Sequence, residues 1–418
     1  MSDSLTKVRL GDLISELPKS TLPAAAAEDA GPYLFYCSSS TPKRTSARLQ
    51  DKPAILMGTG GVASIHFGQG EFSYSTDTWA FRIREQGNLL QEFAYRVLEK
   101  DLSRIDYVGF EGSGLRHLRK NFIRNYVVHA PEITVQMKTC KALSTIDTAI
   151  EQTEALIEKY QQIKAGLMHD LFTRGVLPNG QLRPPCEQAP NLYQETSIGW
   201  LPNDWEVSGL ASKGRTGTSW IRTGPFGSSL KGEHWCIDGH PVITIGALGT
   251  GEFIPSELLF VGDKDASRLI DFQLKENDVI FSRVADVGRS VVVREAQAGW
   301  IMSSNLMRIA VNATLLRPDY LQMQLASDSR VKSQIRASVN SGGRDVANSE
   351  VLNRLRFAMP SPEEQDRIIN RANRLAQHMS AEVRRVAKLQ TQKLGLMQDL
   401  LNGKVLVSVD EKTSGAIA

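Results

Sequence analysis

The sequence predicts a mixed α+β protein: two α/β blocks separated by two long antiparallel coiled-coil helices, related as a pseudo-two-fold internal repeat. Three observations carry that expectation. The strings KAGLMHDLFTRGVL (Lys164–Leu177) and KLGLMQDLLNGKVL (Lys393–Leu406) share eight of fourteen positions at a fixed offset of 229 residues. A repeat has to be found before motifs are sought, because missing one misassigns the fold. Ahead of each string, apolar residues recur at alternating spacings of three and four, which is the seam of a coiled coil. Upstream of each helix lies a block rich in Gly, Ser, Thr and β-branched residues, the texture of short strands and turns.

The first block covers residues 1–132. Its stretch PAILMGTGGVASIHFGQGEFSYSTDTWAF (Pro53–Phe81) reads as apolar strands broken by glycine turns. The first long helix covers 133–176 and begins behind Pro131, a residue suited to a helix start. Its seam is Leu143, Ile146, Ile150, Thr153, Ile157, Tyr160, Lys164, Leu167 and Leu171. A linker follows at 177–204, with Pro and Gly throughout. The second block, 205–360, contains NDVIFSRVADVGRSVVVREAQAGWIMSSNLMRI (Asn277–Ile309) and repeats the scheme: polar lead, apolar strand, glycine turn, second strand, polar stretch. The second long helix, 361–406, begins at Pro360 and Pro362. Its seam is Ala372, Leu375, Met379, Glu382, Val386, Leu389, Lys393, Leu396 and Leu400. A flexible tail, 407–418, ends the chain.

Each seam is apolar at seven of its nine positions, and the exceptions coincide: Thr153 with Glu382, and Lys164 with Lys393. Shared polar positions favour one seam between the two helices, because a polar seam residue fixes register at a cost in stability. The alternative is two amphipathic helices, each lying on its own block. Walking back at the same offset, Gln136 falls on Gln365, Pro131 on Pro360 and Gly114 on Gly343. The repeated unit is therefore at least Gly112–Leu177 and Ser341–Leu406.

A chain of 418 residues exceeds one ordinary core. Its 41% apolar and 23% charged residues are those of a soluble globular protein. No apolar run reaches the roughly 18–20 residues a membrane helix needs. The opening MSDSLTKVRLGDLISELPKS lacks a secretory layout. A cytoplasmic protein with no membrane contact is expected. The net charge of +3 permits a nucleic-acid partner without demanding one.

Cys37, Cys140, Cys186 and Cys236 are dispersed and form no CxxC pair, which argues against a disulfide framework or a four-cysteine zinc site. The segment HWCIDGH (His234–His240) has one cysteine and no second cluster, so it reads as a solvated loop. GTGGVAS (Gly58–Ser64) lacks the Lys-Ser/Thr of a phosphate loop. GFEGSG (Gly109–Gly114) fits the S-adenosylmethionine loop F-x-G-x-G. The N-P-P-Y or D-P-P-Y partner motif is missing, however, so a plain turn is expected. No metal site and no catalytic site are expected in this chain.

In combination, SIGWLPNDWEV (Ser197–Val207), GPFGSSLKG (Gly224–Gly232), DVIFSRVADVGRS (Asp278–Ser290), MPSPEEQDRI (Met359–Ile368) and the twinned GLMxDL ends resemble the specificity subunits of type I restriction–modification enzymes. The resemblance runs from about residue 50 onward. It departs at the start of the first helix, HAPEITVQMKT, where the family has a Pro-Pro and a Glu-Gln pair. The resemblance implies that 1–132 and 205–360 are target-recognition domains for double-stranded DNA. It implies that the conserved helices dock two methyltransferase subunits, with restriction/motor subunits joining the complex. S-adenosylmethionine, ATP and Mg would then sit on those partners, and the chain itself would carry no cofactor and no catalysis. Two unlike blocks on a helical spacer imply an asymmetric bipartite target, with elements about one duplex turn (10–10.5 base pairs) apart. Two other readings stay open: a protein-binding scaffold with two interaction domains, and the specificity subunit of a related DNA-modification defence system.

Base contacts favour Arg on guanine and Asn or Gln on adenine, while Lys mostly positions on phosphate. In the first block Lys43, Arg44 and Arg48 lie in SSSTPKRTSARLQ, expected as a basic loop. In the second, Lys213, Arg215 and Arg222 lie around KGRTGTSWIRTG, and Ser228, Ser229 and Lys231 follow a Gly-Pro turn. Arg283 and Arg289 flank the VADVG turn, and Arg344 sits in SGGRDVAN. A solvated charge is the ordinary alternative for each.

Overall fold

A computed structural model of the chain describes residues 5–84, 88–249, 251–340 and 346–405. The expected tail 407–418 and Arg344 lie outside the described residues. The chain divides into two compact units, Met1–Leu156 with Glu382–Ala418, and Ile157–Ala381. This division cuts through both long helices, so each unit owns one end of each helix.

The helices run Ile133–Thr173, 41 residues, and Pro362–Leu401, 40 residues. At 1.5 Å per residue each is roughly 60 Å long. Both end on a glycine in the left-handed region, Gly175 (φ +66°) and Gly403 (φ +67°), the usual stop for a helix. At Gly175 no other residue fits: a Cβ would lie 2.1 Å from the Glu364 carboxylate. Leu143, Leu171 and Leu400 are buried, and Ile146, Ile150, Leu375, Met379, Val386, Leu389 and Leu396 are half-buried. Ile157, Tyr160 and Leu167 are half-buried too, whereas Lys164 is exposed. Glu151, Glu154, Glu158 and Lys388 face solvent. The buried Thr153 hydroxyl donates to the Ala149 carbonyl (2.7 Å), which satisfies it inside its own helix.

The first unit contains β1 (Thr6–Arg9), β2 (Ile14–Glu16), β3 (Tyr33–Tyr36), β4 (Lys43–Thr45), β5 (Ala54–Gly58), β6 (Ile65–Gly68), β7 (Phe72–Tyr74), β8 (Thr78–Ile83) and β9 (Val127–Ala130). One sheet has the order β2-β8-β5-β6, the other β4-β3-β7 with β3 and β7 parallel. β5 is AILMG and buried at every residue, as a central strand covered on both faces must be. β1 pairs antiparallel with β9 just ahead of the long helix. Helices α1 (Gln91–Lys100), α2 (Leu102–Gly109) and α3 (Lys120–Arg124) complete the block. Its core gathers Ile55, Phe81, Phe93, Leu98 and Ile105 with Leu143 of the first long helix and Met397 and Leu401 of the second.

The second unit contains β10 (Glu206–Ser208), β11 (Ile221–Thr223), β12 (Trp235–Cys236), β13 (His240–Ile243), β14 (Leu259–Val261), β15 (Asp278–Ser282), β16 (Ser290–Val292), β17 (Ile301–Met302), β18 (Leu306–Ala310) and β19 (Phe357–Met359). Its sheets run β11-β18-β15-β16 and β12-β14-β13-β17, with β13 and β17 parallel. β10 pairs antiparallel with β19 ahead of the second long helix. Helices α4 (Pro318–Ser327), α5 (Ser329–Asn340) and α6 (Ser349–Arg354) follow in the same succession as α1–α3. The four-strand sheet order and one parallel pair thus recur in both units, while the second unit adds β12 to its other sheet and a short helix at Asp263–Arg268. Met168, Leu171 and Phe172 share a core with Trp205, Phe281, Tyr320, Ile368 and Ala372.

The stretch expected as a linker, 177–204, is folded. Tyr193–Thr196 and Gly199–Pro202 form an antiparallel hairpin. Tyr193 and Leu201 are buried, and the Tyr193 hydroxyl donates to the Pro184 carbonyl (2.6 Å). Leu201 joins the second unit's core, which ties the hairpin to it.

Candidate nucleic-acid interface

Each long helix is anchored at its start by one buried glutamine. Gln136 Nε2 donates to the carbonyls of Asn88 and Pro131 (both 2.8 Å), and its Oε1 accepts the Leu90 N–H (2.8 Å). Gln365 Nε2 donates to Leu315 (3.2 Å) and Pro360 (3.0 Å), and its Oε1 accepts the Arg317 N–H (2.7 Å). A buried amide that meets three backbone groups fixes the helix to the segment before α1 or α4. These anchors orient the sheets that carry the candidate contacts.

In the first unit the expected basic loop is partly a strand. Lys43 and Arg44 lie on β4, opposite Phe35 and Leu34 of β3. Edge pairing to β3 overrides the polar composition that suggested a loop. The Arg44 guanidinium donates to the Gly31 carbonyl (3.0 Å), and Arg48 pairs with Glu71. Lys43 is exposed.

In the second unit the candidate cations are mostly held by acids. Lys213 meets Glu206 (3.2 Å) and Arg215 meets Asp278 (3.0 Å). Arg222 meets Asp271 (3.1 Å) and lies over the Phe272 ring, 4.8 Å from its centre. Arg222 also stands opposite Arg308 in the β11–β18 ladder. Asp278 is fully buried and Arg308 nearly so, and their side chains approach to 3.9 Å. Burial raises the Asp278 carboxyl above its ordinary value, against the Lys275 N–H, Arg215 and Arg308, which pull it down. Burial lowers Arg308; Asp278 opposes that, and Arg222 and Arg215 add to it. Neither Asp278 Oδ1 nor Arg308 Nε has a well-formed hydrogen bond. Arg215 and Arg308 thus share the buried Asp278 carboxylate while Arg222 takes Asp271, so three guanidiniums meet two carboxylates and one positive charge is in excess there.

Ser228 and Ser229 form a short 3-10 turn whose Ser229 carbonyl accepts from Arg268 (2.8 Å), and Lys231 is exposed beside it. Arg283 and Arg289 stand at the two ends of the β15–β16 turn. Arg283 Nε donates to the Ala347 carbonyl (3.2 Å). Arg289 pairs with Asp286 (2.7 Å) and donates to the Leu248 carbonyl (2.8 Å). The structure therefore gathers Arg215 and Arg222 into one cluster and Arg283 and Arg289 into another. Sequence reasoning missed Arg308. Its signal was a lone charge in the otherwise apolar strand LMRIA. It also missed Phe226, 86% exposed in the Gly-Pro turn.

Residues 3–162 match the family described as Type I restriction modification DNA specificity domain. The matched residues span the first block and much of the first long helix. Over 301 residues the chain is 21% identical to the Type I restriction enzyme MjaVIII specificity subunit of Methanocaldococcus jannaschii, covering 71% of this chain and 66% of that protein. Over 225 residues it is 25% identical to the Type I restriction enzyme EcoDI specificity subunit of Escherichia coli, covering 49% of each. The chain thus spans less than two thirds of the first of these relatives and about half of the second. The S subunit of a type I restriction-modification system from M. genitalium shares the fold, with TM-score 0.61 at 14% identity over 98% of this chain and 97% of that one. A chain from a structural study of complex assembly and conformational transition in the type I R-M system also matches, with TM-score 0.53 at 14% identity, covering 96% and 98%.

Proposed function

We propose that this chain is the DNA-specificity subunit of a type I restriction–modification complex. The observation that supports it best is the recurrence of one sheet order in two units whose exposed turns differ, combined with a specificity domain in the first. Two copies of one scaffold with unlike cationic turns suit the reading of two unlike DNA elements. The target is then asymmetric and bipartite. The two blocks would derive from a duplication with pseudo-two-fold symmetry.

Arg215, Arg222, Arg283 and Arg289 are the leading contacts of the second block, and Lys43, Arg44 and Arg48 those of the first. Cations already held by acids are pre-positioned, and a phosphate or guanine edge can take over part of that pairing. The twinned helix ends dock two methyltransferase subunits, and restriction/motor subunits join through the complex. Catalysis, with S-adenosylmethionine, ATP and Mg, belongs to those partners, and the complex works in the cytoplasm. Among the described residues no helix is long and apolar enough to cross a membrane.

Single-molecule methylation sequencing of host DNA, with and without this gene, tests the reading. Loss of methylation at one interrupted, asymmetric motif is the expected result. An unchanged methylome in a host where the chain co-purifies with an active methyltransferase overturns it.

A further inference from the structure

The turn that joins a central strand to its edge neighbour, β5–β6 in one unit and β15–β16 in the other, is held by different groups in the two. In the first unit Asp106 of α2 closes it. Its carboxylate accepts the Ala63 N–H (2.7 Å) and pairs with Arg116 (2.6 Å). These two partners hold the carboxyl below its ordinary range. Asp106 follows Ile105, the residue that buries α2.

In the second unit the corresponding helix is α5, and Lys332 follows its buried Val331. Where α2 presents Asp106 to its turn, α5 presents Lys332 and Arg336. The β15–β16 turn is held instead by a bridge between Val284 and Val346 and by the Arg283 carbonyl, which accepts the Ala347 N–H (2.8 Å). Between α5 and the β15–β16 turn lies a cavity of about 460 Å³, walled by Leu325 and Ile335 and edged by Arg289, Lys332 and Arg336. That volume is within the roughly 300–1,000 Å³ of ligand clefts. Asp286 is the only acid on its described lining, and it already pairs with Arg289. Among the described residues Lys332 and Arg336 make no ion pair. They stand one helical turn apart, where like charges repel. Ala285, on the same lining, holds a left-handed φ of +60°, which is strained for a residue with a Cβ. Uncompensated charge around a preformed cleft, with a strained turn on its wall, is the arrangement of an anion site.

We infer that this cavity binds a phosphate group between Lys332, Arg336 and Arg289, with the attached sugar or solvent filling the apolar part. The phosphate is either a phosphodiester of DNA, which rests on the specificity-subunit reading, or a free phosphate, which does not.

The full-length chain and its Lys332→Gln/Arg336→Gln variant separate these sources. Inorganic phosphate, titrated in sulfate-free buffer, is expected to raise the melting temperature of the unaltered chain saturably and to leave the variant unmoved. The slope of log affinity against log salt for duplex DNA is expected to fall by about 1 in the variant, since one phosphate contact is lost and each accounts for about 0.9. A phosphate response lost in the variant with an unchanged DNA slope assigns the site to free phosphate. No DNA affinity at any salt, with the phosphate response intact, breaks the specificity reading and leaves the site standing. Asp286→Asn, which removes the competing acid, is expected to tighten phosphate binding several-fold. It guards against a variant that simply misfolds. The inference is overturned if phosphate stabilises neither the unaltered chain nor Asp286→Asn and the DNA slope is the same in both chains.

Discussion

The two units hold their pieces of the long helices by different chemistry. In the first, Lys393 of the second long helix meets Asp147 of the first long helix and Glu99 of α1, each at 2.9 Å. The buried Arg96 adds contacts to Asp147 (2.5 Å), Glu99 (3.2 Å) and Glu92 (3.4 Å). Desolvation alone would lower the Lys393 pKa, but Asp147 and Glu99 hold it above its ordinary value. The second unit has no copy of this network among the described residues. Lys164, 229 residues before Lys393, is exposed, and Ala376 stands 229 residues after Asp147. Its anchor is Glu364, which accepts from the Val176 N–H (2.8 Å), Trp205 Nε1 (3.1 Å) and Arg183 Nη2 (3.0 Å). Val135 occupies the matching place in the first unit. What both units share is topology, the glutamine at the helix start and the glycine stop. The charged clamps are free to differ because any well-satisfied network can hold a helix that is already placed.

Five substitutions probe that contrast. Glu364→Ala is expected to have the largest effect, about 3 kcal/mol, because it leaves the buried Arg183 guanidinium with only the exposed Asp204 as counter-charge and the Trp205 and Val176 N–H groups unpaired. Urea unfolding followed by Trp205 fluorescence measures it, and a loss under about 1 kcal/mol would mean water replaces the carboxylate. Next come Gln136→Ala and Gln365→Ala, each expected to cost about 1–3 kcal/mol by leaving buried backbone groups unpaired. Their equality is the sharper test: a neutral result at one site and a large loss at the other would break the correspondence of the two helix starts. The smallest effects concern the twin lysines. Lys393→Ala should cost about 1 kcal/mol, between the ranges for exposed and buried pairs, and Lys164→Ala should lie within about 0.5 kcal/mol of zero. Equal losses would show that Lys164 also has a partner in solution.

The two long helices were legible because a helical period of apolar residues persists for some 30 residues in each. β5 and β15 were legible as apolar runs. β4 was not, since three residues of Lys-Arg-Thr on a sheet edge carry no alternation to read. Gln136 and Gln365 could be aligned but not assigned a role. Most of their partners are backbone groups about 46–50 residues away, and a carbonyl has no sequence signature. Block boundaries at 132 and 360 followed the sequence texture, whereas the compact units run past them into the helices. A unit assembled from distant pieces of chain leaves no local mark. Arg215, Arg222, Arg283 and Arg289 could be picked out as cations, but the pairing of Arg215 with Asp278, Arg222 with Asp271 and Arg289 with Asp286 needed the fold.

The split make-up of the first unit bears on how the protein is born. The second unit is one unbroken stretch, Ile157–Ala381, and can fold as soon as it leaves the ribosome. The first has Met397 and Leu401 in its core, about 245 residues beyond Leu156. At 5–20 residues per second that is a delay on the order of 12–50 s. The domain made first is therefore finished last, and its uncovered core is where a chaperone or a protease meets this chain during synthesis.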